Sequence, residues 1–321
     1  KHGLRLHDRL VGSLPHYAPY AARYSWLANL RDRIPAAREA SEMFVGFSGR
    51  RSLPQWRRDI YSDRSDWAYA ASEGAPMREI VLFADTFNRY FERENLDAAL
   101  SVLTAAGYRV HTATPADGKR PLCCGRTFLA VGAVGEAKRE AERVLTALTP
   151  YVNRGVPVIG LEPSCLLTFR DELPALMRNE AAQALAANSF LFEEFLAREQ
   201  KEGRLALPLG SLPKQALLHG HCHQKAFDVM GSVQSVLKLI PDLKVDTVES
   251  SCCGMAGAFG YGADTIDVSL KMGELSLLPA VRKSAPDTLV VADGTSCRHQ
   301  IADGTDRQAI HVAQVLARAL V

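Results

Sequence analysis

The sequence predicts an α/β protein: two pseudo-repeated Rossmann-like βαβαβ units with parallel sheets, preceded by an irregular or helical N-terminal arm. Three observations carry that expectation. From about residue 78, short apolar runs alternate with segments of helical spacing, the rhythm of strands joined by crossover helices. The same order of runs then recurs, with a Cys-Cys-Gly triplet at the same point of each copy. Finally, 321 residues with 47% apolar content and 23% charge suffice to bury the cores of about two domains.

The arm, residues 1–77, is distinguished by its charge. Residues 1–60 hold 11 Lys and Arg against 5 Asp and Glu, leaving 27 against 31 in the rest, so a basic segment precedes a mildly acidic body. All three tryptophans, Trp26, Trp56 and Trp67, fall within it, which favours packing over disorder. No nucleic-acid-binding motif or regular basic stripe accompanies the charge, so nucleic acid is not expected as a partner. Docking to a neighbouring protein module is, with the tryptophans as anchors. No apolar run approaches the roughly 18 residues that span a bilayer, and the N-terminus lacks the order of a secretory signal. A cytoplasmic protein is expected, associated with the inner face of the membrane peripherally at most. The chain starts at Lys1 rather than methionine, which points to a longer polypeptide upstream.

The first copy spans 78–203. EIVLFADTFN (79–88) reads as a buried parallel strand ending in a polar loop, NLDAALSVLTAAG (95–107) as a helix closed by glycine, and YRVHTAT (108–114) as a second strand. PLCCGRTF (121–128), a helix over AKREAERVLTALTPYV, the strand PVIGLE (157–162) and PSCLLTF complete the unit. A charged, Ala-rich stretch at roughly 180–203 reads as a helix, with EEFLAREQKEGR as its solvated face.

After the break LPLGSLPKQ, the second copy (204–321) repeats the plan. ALLHGHCHQ (216–224) is the first strand and its loop, VQSVLKLIPDL the helix, and KVDTVESSCCG (244–254) the second strand with its triplet. A helix through MGELSLLPAVRK and the strand-loop TLVVADGTSCRHQ (288–300) follow. Superposing the copies sets Thr86 opposite Cys222, Cys123 and Cys124 opposite Cys252 and Cys253, and Cys165 opposite Cys297.

That placement has chemical meaning. Every cysteine lies just past a predicted strand's carboxyl end, where a parallel sheet gathers its loops into one crevice and helix N-termini favour thiolates. Adjacent cysteines are poor disulfide partners, and a chain without a secretion signal keeps its thiols reduced. Four thiols, Cys222, Cys252, Cys253 and Cys297, meet the usual demand of an iron-sulfur cluster. The first copy offers Cys123, Cys124 and Cys165 with Thr86 in the fourth place, a degenerate set. A lone buried cysteine such as Cys165 is more often a small hydrophobe. In HGHCH, a strand running through would put His219, His221 and His223 on one side and Cys222 on the other. A zinc site using one or two of these histidines is the alternative, and otherwise His221 stands behind the ligands to donate to sulfur or transfer a proton. GMAGAFGYG is not a dinucleotide fingerprint and comes too late in its unit, so flavin and nicotinamide are not expected on this chain. No CxxCxxCxxxCP run is present.

With these motifs placed, residues 78–321 resemble the cysteine-rich CCG-domain family, whose full repeat reads Cys, then CCG, then CxxC. PLCCGRTFLAVG, GLEPSCLLTFRDE, LHGHCHQKAF, ESSCCGMAGAFGY and VADGTSCRHQI are most similar to the C-terminal part of fused FAD-linked oxidase/iron-sulfur proteins of the D-lactate and D-2-hydroxyglutarate dehydrogenase type. The resemblance implies an iron-sulfur cluster, 4Fe-4S or a related noncubane type, on Cys222, Cys252, Cys253 and Cys297. It further implies electron relay from an FAD held on an upstream domain, beside a ferredoxin-like module, to a further acceptor. Rivals from other classes are a zinc-dependent enzyme, a thiol-disulfide reductase and a metal-free scaffold. Both copies depart from the family at the terminal CxxC, which is CLLT at Cys165–Thr168 and CRHQ at Cys297–Gln300, so the five-cysteine set of a noncubane cluster is incomplete.

Overall fold

A computed structural model describes residues 3–63 and 78–321; Trp67 lies outside them. Eight strands form two four-stranded sheets, and every pairing is parallel. In the first unit these are β1 (Arg78–Phe83), β2 (Tyr108–Thr112), β3 (Val158–Gly160) and β4 (Ser189–Leu191), ordered β2-β1-β3-β4. The second unit has β5 (Gln215–His219), β6 (Lys244–Thr247), β7 (Leu289–Ala292) and β8 (Ala309–Ile310), in the matching order β6-β5-β7-β8. Central strands are continuously apolar because helices cover both faces: Ile80 to Phe83 are all 1% exposed or less.

The fold class is the one the sequence predicts, with one addition to each unit. β4 and β8 extend the expected three strands to four. They escape a periodicity argument because three and two residues carry no period, and β4 interrupts a stretch of helical composition. The helix after β4, Phe192–Lys201, is also more buried than its charge suggests. Phe192, Glu193, Phe195, Leu196 and Glu199 are enclosed, so the expectation of a solvated face is corrected.

One core joins the units. The helix Arg93–Ala105 of the first packs on Val312–Arg318 of the second, and Phe192–Lys201 of the first packs on Met230–Leu237 of the second. Each unit therefore covers the other's first helix with its own last one. Leu96, Leu103, Leu196, Val236, Val315 and Leu316 are fully buried in the shared cluster.

The arm is helical, with Leu14–Arg23 and Pro35–Val45 its longest segments, and it touches both units. Trp56 packs on Tyr17, Tyr90 and Phe91, so it anchors the arm to the first unit, whereas Trp26 is 64% exposed. On the second unit the arm pairs with the glycine-rich loop. Phe47 bridges Gly262, the Ser48 amide donates to the Tyr261 carbonyl at 2.8 Å, and the Ala263 amide donates to the Gly46 carbonyl at 2.9 Å. No helix among the described residues is long and apolar enough to cross a membrane.

Candidate metal centre

The loops after β5, β6 and β7 carry the second unit's cysteines. β5 stops at His219, and the helix Cys222–Ala226 begins at once, with His221 as its N-cap. His221 Nδ1 accepts from the His223 amide at 3.1 Å, and Gln224 Oε1 accepts from the His221 amide at 3.0 Å. This capping ends the strand, so the alternation that would have set the three histidines on one side does not operate. Cys222 is the first residue of that helix, and Cys297 the third residue of Thr295–Gly304 after β7.

Between them lies the Cys252-Cys253-Gly254 turn. Gly254 has φ +92°, and a Cβ there would lie 2.3 Å from the Ser269 carbonyl, so backbone conformation and space both demand glycine. Its amide donates to Cys252 Sγ at 3.3 Å. Gly294 is constrained by space alone, since a Cβ would sit 2.2 Å from His221 Cδ2; its lack of a side chain admits the imidazole.

The four cysteines form a continuous row. Cys222 neighbours Cys252, Cys252 adjoins Cys253, and Cys253 neighbours Cys297, each near enough to shift the next one's ionisation. A ring nitrogen of His219 lies within 4.8 Å of the Cys253 and Cys297 sulfurs, as the donor atoms of His221, Cys222 and His223 do of one another. His219 Nδ1 pairs with Ser250 Oγ at 2.9 Å, while its buried Nε2 has no hydrogen-bond partner among the described residues.

Charge is distributed unevenly along the row. Hydrogen bonds from Cys222 and then Cys253 pull the Cys252 thiol far below its usual range. The bond from Cys253 does the same for Cys297 against the opposing effect of burial, with His219 and His221 adding to it. As donors, Cys222 and Cys253 are pushed up, and burial reinforces the shift. Burial, followed by the charges of His221 and Arg126, holds His223 down at about 4, so its imidazole is neutral at pH 7. Convergent cysteine sulfurs, a buried imidazole nitrogen and a glycine turn make a donor set that fits a soft metal or an iron-sulfur group.

The first unit places Thr86, Cys123, Cys124 and Cys165 in the same arrangement, each near enough to act on the next one's ionisation; the Gly125 and Arg126 amides donate to Cys123 Sγ at 3.4 Å and Cys124 Sγ at 3.5 Å. Its electrostatics are opposite. Cys123 is pushed up by its bond to Cys124 and by burial. Cys124 is pulled down by Cys123, but its bond to Cys165 and burial outweigh that and drive it up. Cys165 is lowered by Cys124 yet ends pushed up to about 12 by burial and the charges of Asp85 and Glu162. These carboxyls stand where the second unit has His221 and Gly294, and Phe83 stands where it has His219. The superposed repeats carry these replacements in plain sight, beside the cysteines rather than at them.

The positions that would complete CxxC are engaged elsewhere. Thr168 Oγ1 donates to the Ser164 carbonyl at 2.9 Å, and Gln300 Nε2 donates to the Ser269 carbonyl at 3.1 Å. Sequence reasoning also missed the buried polar bridge between units: Gln224 Nε2 donates to Glu193 at 2.5 Å and to Asp293 at 2.9 Å, and the Thr295 amide donates to Glu162 at 2.8 Å.

No protein-family model matches the chain. It is 27% identical over 315 residues to one subunit of the anaerobic glycerol-3-phosphate dehydrogenase of Escherichia coli (strain K12), covering 98% of this chain and 76% of that protein. It is 28% identical over 323 residues to D-2-hydroxyglutarate dehydrogenase of Pseudomonas putida, covering 97% of this chain but 30% of that protein. It is 24% identical over 214 residues to lactate utilization protein A of Bacillus velezensis, covering 61% of this chain and 82% of that protein.

Proposed function

We propose that the chain is the iron-sulfur electron-transfer module of an FAD-linked D-2-hydroxy-acid dehydrogenase, of the D-lactate or D-2-hydroxyglutarate type, and passes electrons from flavin to a further acceptor. The observation that carries this reading is the row Cys222, Cys252, Cys253 and Cys297 at the carboxyl ends of three parallel strands. The similarity to dehydrogenases and to a dehydrogenase subunit supports the oxidoreductase class. In this reading residues 78–203 and 204–321 are the two repeats, the second holds the cluster, and the FAD-binding and ferredoxin-like modules are its partners.

An iron-sulfur group stores and releases single electrons. The chain's own part is to fix four sulfurs, shield the pair Cys253 and Cys297 from water, and supply the Gly254 amide and the His219 and His221 rings as polar neighbours. To hold such a group, the four cysteines would bind it as thiolates.

Iron, zinc and acid-labile sulfide in anaerobically purified protein test the reading. Iron and sulfide are expected, and Cys253→Ser should lower both and bleach the visible absorption. The His219, Cys253 and Cys297 group favours a second reading, zinc held by mixed nitrogen and sulfur donors. Stoichiometric zinc without labile sulfide would establish that one instead.

A further inference from the structure

Behind the Cys252-Cys253-Gly254 turn lies a cation that neither the cysteine pattern nor the proposed function uses. Arg51, delivered by the arm, is 1% exposed, and its Nε and Nη1 make no hydrogen bond among the described residues. Nη2 reaches Ser269 Oγ at 3.4 Å, and the Asp303 carboxylate lies 3.7 Å from Nη1. Ser269 is the residue whose carbonyl crowds Gly254 and whose hydroxyl meets Met255 Sδ at 3.9 Å, so the guanidinium is one layer behind the sulfur-bearing turn. Arg31 fixes the segment by donating to the Arg51 carbonyl at 2.7 Å and the Ser48 carbonyl at 2.5 Å. Burial draws Arg51 below its usual range, while the charges of Asp303, Tyr261 and Cys253 act to keep it protonated.

An isolated buried guanidinium is costly unless a negative charge offsets it, and one carboxylate at 3.7 Å with two unsatisfied donors is a poor match. Beyond Ser269 lies the Cys252-Cys253-Gly254 turn, and Cys253 is among the groups whose charge acts on the guanidinium. We infer that Arg51 is a positioning residue for charge: the arm holds it against the cysteine turn so that its cation stabilises the reduced form of the second unit's metal centre and sets its reduction potential. The inference rests on the iron-sulfur reading above. When one electron arrives from a reduced flavin, no bond forms or breaks, the flavin is oxidised by one electron, and the net charge around Cys253 becomes more negative by one. A fixed cation favours that change.

Redox titration of the loaded protein, followed by electron paramagnetic resonance, tests this in wild type, Arg51→Gln, Arg51→Lys and Asp303→Asn, each with iron and sulfide measured. Arg51→Gln should retain its iron and shift the oxidised-to-reduced ratio at a given ambient potential about tenfold toward oxidised, which is about 59 mV downward for a one-electron couple. Arg51→Lys should restore most of the shift. Asp303→Asn, which leaves the cation and removes its counter-charge, should move the ratio the opposite way. Opposed signs from two neighbouring residues are not produced by loosened packing. Unchanged ratios in loaded Arg51→Gln and Asp303→Asn, or shifts of the same sign, overturn the inference and leave the cluster standing. If Arg51→Gln does not load, the sign in Asp303→Asn decides. Wild-type protein without iron and sulfide overturns the cluster reading and this inference with it.

Discussion

Single residues decide which of two similar pockets is prepared for an anionic group. Asp85 shows the contrast: burial first, and the Glu162 charge second, raise its carboxyl to about 6 from 3.8, although Asn88 and the helix amides it caps pull the other way. A group whose folded pKa is raised contributes stability that is present below about pH 3.8 and lost as pH rises through about 6. Asp85→Asn keeps a capping oxygen but removes the titration. Relative to wild type, it should gain about 2 kcal/mol between pH 4 and pH 7, most of the two pKa units at 1.36 kcal/mol each, measured by urea unfolding at both values. The triplet glycines give a second comparison. Both have left-handed φ, but a Cβ at Gly125 would meet Ala137 O at 3.3 Å while one at Gly254 would meet Ser269 O at 2.3 Å. Gly125→Ala should cost about 1–2 kcal/mol and Gly254→Ala about 3 kcal/mol or more, with metal loading reduced only in the second. Cys124→Ser should leave iron content unchanged, because its thiol lies in a pocket held neutral; iron lost from that variant would mean the first unit shares the site.

At the scale of elements, the sequence made the strands and the cysteine positions legible because burial on both faces and duplication leave strong patterns. It left β4 and β8 unread because edge strands this short leave none. It told the two pockets apart only by Thr86 in place of a fourth thiol; the further contrast at Phe83, Asp85 and Glu162 gains meaning once the helix caps bring these residues against the thiols. The charge on Phe192–Lys201 misled for another reason. Its buried glutamates find partners inside the protein, Glu199 in Arg204 and Tyr108 and Glu193 Oε1 in Gln224, although Glu193 Oε2 has none among the described residues. Cross-unit helix packing implies cooperative unfolding. Leu316→Ala, at a fully buried contact with the helix Arg93–Ala105, should cost about 2–5 kcal/mol and lower the unfolding midpoint of both sheets together, as hydrogen exchange of β1 and β5 amides would report.

For the molecule as a whole, hydride removal from a 2-hydroxy acid needs an organic acceptor, and the described residues carry no dinucleotide fingerprint. The chain alone should not turn over D-lactate or D-2-hydroxyglutarate with a dye acceptor. On the proposed reading, supplying flavin and ferredoxin-like modules should give turnover that Cys253→Ser weakens. Activity of the chain by itself, without added flavin, would contradict the assignment. Among the described residues of the arm, Trp26, Tyr20, Tyr24 and Phe44 are exposed aromatics that the proposed reading offers to such a partner, whereas Trp56 is already committed to the first unit.

The exchange of covering helices between units has a consequence for how the chain can be divided. Neither half can close its own core, since each needs a helix that belongs to the other. The link between them, in contrast, runs through the exposed residues Lys201 to Arg204. A peptide bond cut between Glu202 and Gly203 should therefore be silent in the native protein, and the two fragments should remain together through gel filtration. Produced separately they should be insoluble or unfolded, and mixed from denaturant they should recover one another, a complementing pair of half-proteins whose glue is the hydrophobic seam.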